Sequence, residues 1–226
     1  MGILKKVPRN RDEPITTGSV SIAARRHIPV TGRGLTVMSD TARQRYAVGA
    51  LAGAAAFVLT YVLVYALSIS TVQDALLTNI AESFGDDRAA WKIVGWVFFN
   101  AQFVTTTITV NIPFLGGTSA VNFIAENESL SAVLYLLPPA VLTAAGIATA
   151  RLGGITDISS AVRVGPAVAL GYLPLAVLGA VLFTVSAGDS GQGAPTLLTA
   201  VVLAGVVYPA VFGSVGGVIA TVVGDS

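Results

Sequence analysis

The chain lacks cysteine, has one histidine and carries few charged residues. Only 11% of its 226 residues are charged, whereas 54% are apolar and the mean hydropathy is +0.76. The absence of cysteine excludes disulfides, thiolate metal sites and thiol nucleophiles. Soluble domains carry about 25% charged residues. The composition therefore predicts a protein that crosses the membrane several times, with the lipid bilayer as its main partner.

Four apolar runs are long enough to cross the hydrocarbon core, which needs about 20 helical residues. They cover residues about 46–69, 130–150, 164–186 and 196–223. None of them contains Asp, Glu, Lys, Arg or His, the side chains that mark proton relays and ion paths in membranes. The sequence therefore predicts an all-α membrane protein, a bundle of four transmembrane helices, without coupled pumping.

Groups that could support catalysis are scarce outside these runs as well. The one histidine, His27, lies in the N-terminal tail, so a Ser-His-Asp site or an imidazole metal site is absent. Two pairs of carboxylates occur in hydrophilic segments, where a solvated acidic surface is the simpler interpretation: Asp86 with Asp87, and Glu126 with Glu128. No glycine motif for phosphate binding is present. We therefore predict no catalytic or metal residues, no cofactor, no nucleic-acid partner and no enzymatic activity.

The stretch from Trp91 to Gly117 has two interpretations. No charged side chain occurs from Ile93 to Ala125, which is long enough for a fifth span. However, the polar residues of the stretch are spread around a helix instead of forming one stripe, and from Thr107 to Ile112 polar and apolar residues alternate as in a half-buried strand. We favour an aromatic-rich helix from about Ala89 to Phe103 at the outer interface, followed by a short extended piece. Five transmembrane helices are the alternative.

Arginine and lysine near the ends of the spans predict the topology, because they accumulate on the cytoplasmic side. Four spans with a cytoplasmic N-terminus place four basic residues inside and two outside, whereas five spans place two inside and four outside. In the four-span arrangement the inner set is Arg43, Arg45, Arg151 and Arg163, and the outer set is Arg88 and Lys92. We therefore predict a multi-pass protein of the cell membrane with a cytoplasmic N-terminus. A small outer cap then covers residues 71–129 and carries six acidic residues.

The first 37 residues differ in character from the rest of the chain. They hold seven Lys/Arg against two acids, a net charge of +5, whereas residues 38–226 hold six against ten, a net charge of −4. The segment is rich in Pro and Gly and has no apolar period, so we predict a disordered basic tail. It either binds anionic lipid or has no role of its own. Met38 is a candidate start ahead of the first span, in which case the tail is not translated.

Three prolines recur at equal spacing in successive spans. Pro139, Pro174 and Pro209 are 35 residues apart, and each follows a tyrosine closely, in the strings YLLPPAVL, YLPLAVL and YPAVF. A proline inside a helix releases the carbonyl four residues earlier, which predicts free carbonyls at Tyr135, Leu170 and Gly205. Such carbonyls either line a polar cavity, as in the broken helices of transporters, or the prolines are ordinary kinks of similar helices.

Pairs of glycines four residues apart occur in the first and last spans. They are Gly49 with Gly53, and Gly213 with Gly217. Small residues at this spacing let two helix backbones approach closely. We predict that they pack helices within the bundle, with homodimerisation as the alternative.

The strings WKIVGWVFFNAQFV, LYLLPPAVL, GYLPLAVL and AGVVYPAVFGSVGG resemble an uncharacterised family of small haloarchaeal membrane proteins, and the resemblance spans roughly Tyr46 to Val223. The acid excess and the single lysine after Met38, Lys92, suit a salt-loving host. The resemblance implies no activity. We therefore predict a non-enzymatic accessory or interaction component that binds a membrane protein partner or forms a homo-oligomer. A passive channel or transporter subunit lined by proline-kinked helices is the alternative.

Overall fold

The computed structural model describes residues 40–75, 90–111, 114, 116–128, 130–186 and 188–224, together with Gly2. Within these residues four helical segments are long and apolar enough to cross a membrane: Arg43–Asp74, Ala132–Leu152, Ile158–Leu182 and Leu197–Gly224. The predicted bundle of four such helices is confirmed. Apart from Gly2, the tail before Met38 lies outside the described residues, as do three acids of the predicted cap: Glu82, Asp86 and Asp87.

The long segments are less uniform than their hydropathy suggests. The helices of the described residues are, in chain order, α1 (Asp40–Ala75), α2 (Ala90–Asn100), α3 (Phe123–Glu126), a 3₁₀ helix (Ala132–Leu136), α4 (Leu137–Leu152), α5 (Ile158–Ala161), α6 (Val164–Leu182), a second 3₁₀ helix (Gly188–Ser190), α7 (Leu197–Thr199), a π-helix (Ala200–Val207) and α8 (Tyr208–Gly224). The second predicted span is thus part 3₁₀ and part α, and the last contains a π-helix. The outer cap predicted from residue 71 begins inside α1, which continues to Ala75.

A four-stranded antiparallel sheet joins two parts of the chain that are distant in sequence. Its strands are β1 (Thr106–Val110), β2 (Gly117–Val121), β3 (Val185–Ser186) and β4 (Gly191–Pro195), in the spatial order β2-β1-β4-β3. The segment before the second span supplies β1 and β2, and the loop between the third and fourth spans supplies β3 and β4. Both segments therefore lie at the same end of the bundle, which we call the sheet end. The short extended piece predicted after α2 is present as β1.

Glycines allow the long helices to pack closely. A Cβ atom added at Gly49, Gly53 or Gly217 would collide with a neighbouring helix, and one added at Gly213 would come within 3.0 Å of a neighbouring helix. The contacting pairs are Gly49 with Ala167, Gly53 with Val168, Gly213 with Gly165, and Gly217 with Ala161. These small faces are therefore occupied by packing within one chain.

Helix α2 descends into the bundle from the sheet end. The Tyr61 hydroxyl donates a hydrogen bond of 2.9 Å to the carbonyl of Trp91, at the start of α2. Near its other end, the ring of Phe98 meets the ring of Phe57, one turn earlier in α1, with centroids 4.9 Å apart. The helix thus runs antiparallel to α1, and nine of its 11 residues are buried.

The prediction that this helix lies at the outer interface did not anticipate how far protein buries it. Helix α2 packs against both α1 and the end of α6, and three of its four aromatic residues are buried: Trp96, Phe98 and Phe99. Phe99 and Trp91 contact Phe183 at the end of α6, and Phe98 contacts α1. At 11 residues it is also too short for a fifth span, which needs about 20. We call residues 90–105 the re-entrant segment, because the chain enters the bundle from the sheet end and returns there through β1.

Candidate functional site

A cluster of polar side chains lies where the re-entrant segment meets the bundle. We call it the central polar cluster and define it by Asn100, Gln102, Tyr135, Tyr172 and Tyr208. Asn100 and Gln102 belong to the end of α2 and the turn after it, whereas the three tyrosines come from three different membrane-crossing segments. In the sequence the three tyrosines stand just before the equally spaced prolines, and Asn100 and Gln102 lie in the uncharged stretch; nothing local brings the five together, because their proximity depends on the path of α2.

The best buried contact of the cluster joins Gln102 to Tyr172 of α6. The Tyr172 hydroxyl donates a hydrogen bond of 2.9 Å to Oε1 of Gln102, and both side chains are 0% exposed. The amide Nε2 of Gln102 donates to the carbonyl of Phe98 at 3.3 Å. A buried polar group without a partner costs about 1–3 kcal/mol. These two groups therefore need each other to remain inside the bundle.

Asn100 holds the turn that follows α2. Its Nδ2 donates to the carbonyl of Val104 at 2.8 Å and to the hydroxyl of Thr106 at 3.3 Å. Its Oδ1 accepts the backbone N–H of Phe123 at 2.8 Å, which is the first residue of α3. One side chain thus fixes both the exit of the chain toward β1 and the start of α3. The role of Asn100 in this arrangement is therefore structural.

The turn contains a residue in a strained conformation. Phe103 has a φ of 58°, in the left-handed region that bulky residues rarely adopt, at a cost of roughly 1–3 kcal/mol. Its ring stacks on Tyr135 with centroids 4.8 Å apart, and the Tyr135 hydroxyl donates to Oδ1 of Asn122 at 3.1 Å. The stacked pair holds the turn in this conformation.

The three prolines that follow Tyr135, Tyr172 and Tyr208 are not equivalent. Only Pro174 lies inside a continuous α-helix. Pro139 is in the first turn of α4, just after a 3₁₀ helix, and Pro209 is the second residue of α8, just after the π-helix.

Of the three prolines predicted as kinks, Pro139 and Pro209 therefore lie at the start of an α-helix and Pro174 lies inside one. A proline in the first turn of a helix removes an N–H that has no helical acceptor anyway, so Pro139 and Pro209 mark places where an α-helix restarts. At the second of these, the N–H of Tyr208 donates to the carbonyl of Leu203, five residues earlier. Pro139 and Pro209 thus share irregular helix geometry just before them and do not form simple kinks.

The outward side of the sheet is flat and rich in hydroxyls. Residues paired across antiparallel strands point to the same side, and Thr109 pairs with both Thr118 and Gln192. The Thr109 and Thr118 hydroxyls are 3.3 Å apart. We call this side the open face of the sheet; its members are Thr107, Thr109, Thr118, Ala120, Ser186, Gln192 and Ala194. None of them is charged.

The opposite side of the sheet covers the end of the bundle. A Cβ atom on Gly193 of β4 would meet the indole ring of Trp96 at 2.5 Å. The Nε1 of Trp96 donates to the carbonyl of Phe183 at 2.7 Å, and Nζ of Lys92 donates to the carbonyl of Thr184 at 2.9 Å. The sheet therefore rests directly on α2 and on the end of α6.

The other end of the bundle, which we call the loop end, carries the short connection between α4 and α6. Asp157 caps α5 there, accepting the N–H of Ser160 at 2.8 Å and the hydroxyl of Ser159 at 2.6 Å. These hydrogen bonds, the one from Ser159 above all, lower the pKa of Asp157 to about 2. Its carboxylate thus has a structural use at the start of the helix.

Within the part of the chain that the structure describes, no group of three or more His, Cys, Asp or Glu side chains could hold a metal ion. The central polar cluster offers hydroxyls and carboxamides, and Gln102 and Tyr172 already pair with each other. A model of one protein family matches residues 35–224. The chain belongs to DUF7978, a family of unknown function. No curated protein and no solved structure matches this DUF7978 chain.

Proposed function

We propose that this DUF7978 protein is a non-enzymatic accessory component of the cell membrane that presents its sheet to a partner protein. The observation that carries the proposal is the closed interior of the bundle. Gln102 and Tyr172 are 0% exposed and bonded to each other, so the re-entrant segment fills the space between the helices. On the open face of the sheet, in contrast, Thr118, Ala120, Ser186 and Gln192 are exposed.

The proposal also assigns the two ends of the bundle to the two sides of the membrane. Basic residues accumulate at cytoplasmic span ends. In this fold α1 begins at the loop end, and the loop end carries four arginines: Arg43, Arg45, Arg151 and Arg163. We therefore place the loop end and the N-terminus in the cytoplasm and the sheet outside. Lys92 lies at the sheet end and is the one lysine after Met38.

The chemistry of the open face favours a protein partner that forms hydrogen bonds. Threonine, serine and glutamine side chains offer donors and acceptors without a charge, so a partner does not have to match a charge pattern. Strand β2 also forms one edge of the sheet, and unpaired N–H and C=O groups at an edge can accept an added strand. The partner is a membrane protein, with a second copy of this chain as the alternative.

A charge on the open face tests this role. Thr118→Lys changes an exposed side chain of β2, so the free energy of unfolding should change by less than about 0.5 kcal/mol. We expect chemical cross-linking in native membranes to give one discrete complex with the unaltered chain and to lose it with Thr118→Lys. The control is Thr156→Lys at the loop end, where Thr156 is also exposed and the complex should persist. Equal cross-linking of all three proteins would refute the proposal, and the mass of the complex distinguishes a partner from a second copy.

A second candidate is a passive pathway for small uncharged solutes. The observation in its favour is that the 3₁₀ helix, the π-helix and Pro174 surround the central polar cluster, since irregular backbone at membrane depth often borders a pathway. Purified protein in lipid vesicles tests it by solute flux. A flux that disappears when the three prolines are replaced by alanine would favour the pathway over the accessory role.

A further inference from the structure

An arginine near the start of α1 lies against the end of α4, at the loop end. A Cβ atom added to Gly153, just after α4, would lie 3.6 Å from Cγ of Arg45. The Arg45 side chain is half-buried, and its Nε is enclosed without a hydrogen-bond partner. Because partial burial reduces screening by water and salt, this guanidinium attracts an anion more strongly than a fully exposed arginine does.

A second arginine lies at the same level of the bundle. Helices α1 and α6 both begin at the loop end, and a Cβ atom added to Gly49 of α1 would collide with the Cβ of Ala167 of α6. Arg45 and Arg163 each precede this contact by four residues, which is about one helical turn, and the backbone of Arg163 is already helical. Both arginines therefore lie on the faces where the two helices meet. Their positive charges repel each other unless an anion lies between them.

The described residues supply no acid to this pair of arginines. Two acids belong to the described part of the loop end: Asp40 begins α1, and Asp157 caps α5. Asp40 is five residues from Arg45, not the three or four that bring side chains together on a helix, and Asp157 accepts the hydrogen bonds at the start of α5. Within the described residues neither Arg45 nor Arg163 forms an ion pair. An anion that balances the pair therefore has to come from outside these residues.

Both arginines lie where helices meet the surface of the bilayer. The apolar segment formed by α1 extends from Arg43 to Asp74, and Tyr46, next to Arg45, is 37% exposed. Val162, next to Arg163, is 51% exposed. Exposed aromatic and apolar side chains at the ends of membrane-crossing helices contact lipid. The two guanidinium groups are therefore within reach of lipid headgroups, whichever side of the membrane the loop end faces.

We propose that Arg45 and Arg163 together bind the phosphate of an anionic phospholipid at the loop end. An arginine guanidinium matches phosphate oxygens with two parallel hydrogen bonds, and two such groups favour a headgroup with a net negative charge. Phosphatidylcholine carries the same phosphate but also a choline cation, which the arginines repel. Free phosphate has no acyl chain to lie along Tyr46 and Val162, so a lipid is the better ligand. The site is independent of the partner proposed for the open face.

Native mass spectrometry of the purified full chain in detergent tests this site. The probes are dioctanoyl phosphatidylglycerol, dioctanoyl phosphatidylcholine and inorganic phosphate. We expect Arg45→Gln and Arg163→Gln each to weaken binding of the first phosphatidylglycerol by about fivefold, the contribution of one basic residue near the surface. The matched control is Arg151→Gln, which should weaken it by less than about twofold. Arg151 is exposed in the last turn of α4, but it lies two residues before Gly153 and so on a different side of the helix from Arg45. The basic tail is present in all these proteins and contributes equally.

Four outcomes would overturn the inference. Phosphatidylcholine binds as tightly as phosphatidylglycerol; inorganic phosphate displaces the lipid at equal concentration, which makes the site one for free phosphate; Arg151→Gln weakens binding as much as Arg45→Gln, which indicates diffuse attraction to a basic surface; or Arg163→Gln leaves the affinity unchanged. Because Arg163 is exposed, Arg163→Gln should keep the unfolding temperature in lipid-free detergent. It therefore tests the site even if Arg45→Gln lowers the stability of the protein.

Discussion

Replacement of Gly53 by alanine tests whether the glycine faces set the distance between α1 and α6. An added Cβ would overlap the carbonyl oxygen of Val168 and come within 3.1 Å of the backbone nitrogen of Tyr172. Both atoms belong to the backbone, so no side-chain rotation can relieve the contact. The two helices would have to separate, and α1 would draw Phe57 away from the ring of Tyr172, now 5.1 Å distant.

The expected magnitude follows from two opposing effects. Overpacking in a well-packed core costs about 1–3 kcal/mol, whereas the change from glycine to alanine inside a helix gains about 1 kcal/mol. Because the colliding atom is a backbone carbonyl, the cost should lie at the upper end, and we expect a net loss of about 1–2 kcal/mol. Gly53→Val should lose more stability than Gly53→Ala, because valine has two methyl groups more than alanine and gains little helix propensity.

Thermal unfolding of the purified protein in detergent, followed by circular dichroism, measures the effect. The matched control is Gly224→Ala at the end of α8, where an added Cβ meets no atom within 4 Å. We expect the order of unfolding temperatures to be Gly224→Ala equal to the unaltered protein, then Gly53→Ala, then Gly53→Val. If Gly53→Ala were as stable as the unaltered protein or more stable, helix propensity would outweigh packing and the close contact between α1 and α6 would not limit stability.

Three further perturbations address other contacts. Tyr172→Phe should lower the free energy of unfolding by about 1–3 kcal/mol, because it leaves Oε1 of Gln102 buried without a donor. A double-mutant cycle with Gln102→Ala should give a coupling above about 0.5 kcal/mol, and additive losses would refute the pairing. Trp96→Phe should lower the unfolding temperature more than Trp91→Phe, since only Trp96 donates its Nε1 to a buried carbonyl; equal losses would contradict this. The pKa of Asp157 is lowered from 3.8 to about 2, so its stabilising contribution as a helix cap is complete above about pH 4 and is lost as the pH falls through about 2. Hydrogen exchange of the first amides of α5 should show this loss, and Asp157→Asn should abolish the pH dependence.

The sequence predicted the helices well, because hydropathy over about 20 residues reports directly on membrane crossing. It also predicted an extended piece from Thr107, one residue after β1 begins, although α2 ends at Asn100 and not at the predicted Phe103. It missed β2 and β4, whose sequences are Gly-Thr-Ser-Ala-Val and Gly-Gln-Gly-Ala-Pro. Small residues with Gly and Pro lack the β-branched and aromatic side chains that indicate a strand.

The central polar cluster was harder to predict for a different reason. Gln102 had the correct signal, a carboxamide within an apolar run, but its partner Tyr172 lies 70 residues away. Nothing local in the sequence specifies such a pair, since it exists only after α2 has entered the bundle. The equal spacing of the prolines was misleading for a related reason, because the effect of a proline depends on whether the helix continues before it or restarts at it.

The pairing of β1 with β4 has a consequence for biosynthesis. Thr106 pairs with Pro195, so two membrane crossings must be synthesised between the two strands before the sheet can close. Until α6 has been synthesised, α2 can pack only against α1, and Oε1 of Gln102 lacks the hydroxyl of Tyr172. Assembly can finish only from the C-terminal side, and a nascent chain truncated before residue 191 should be recognised as incomplete by membrane quality control.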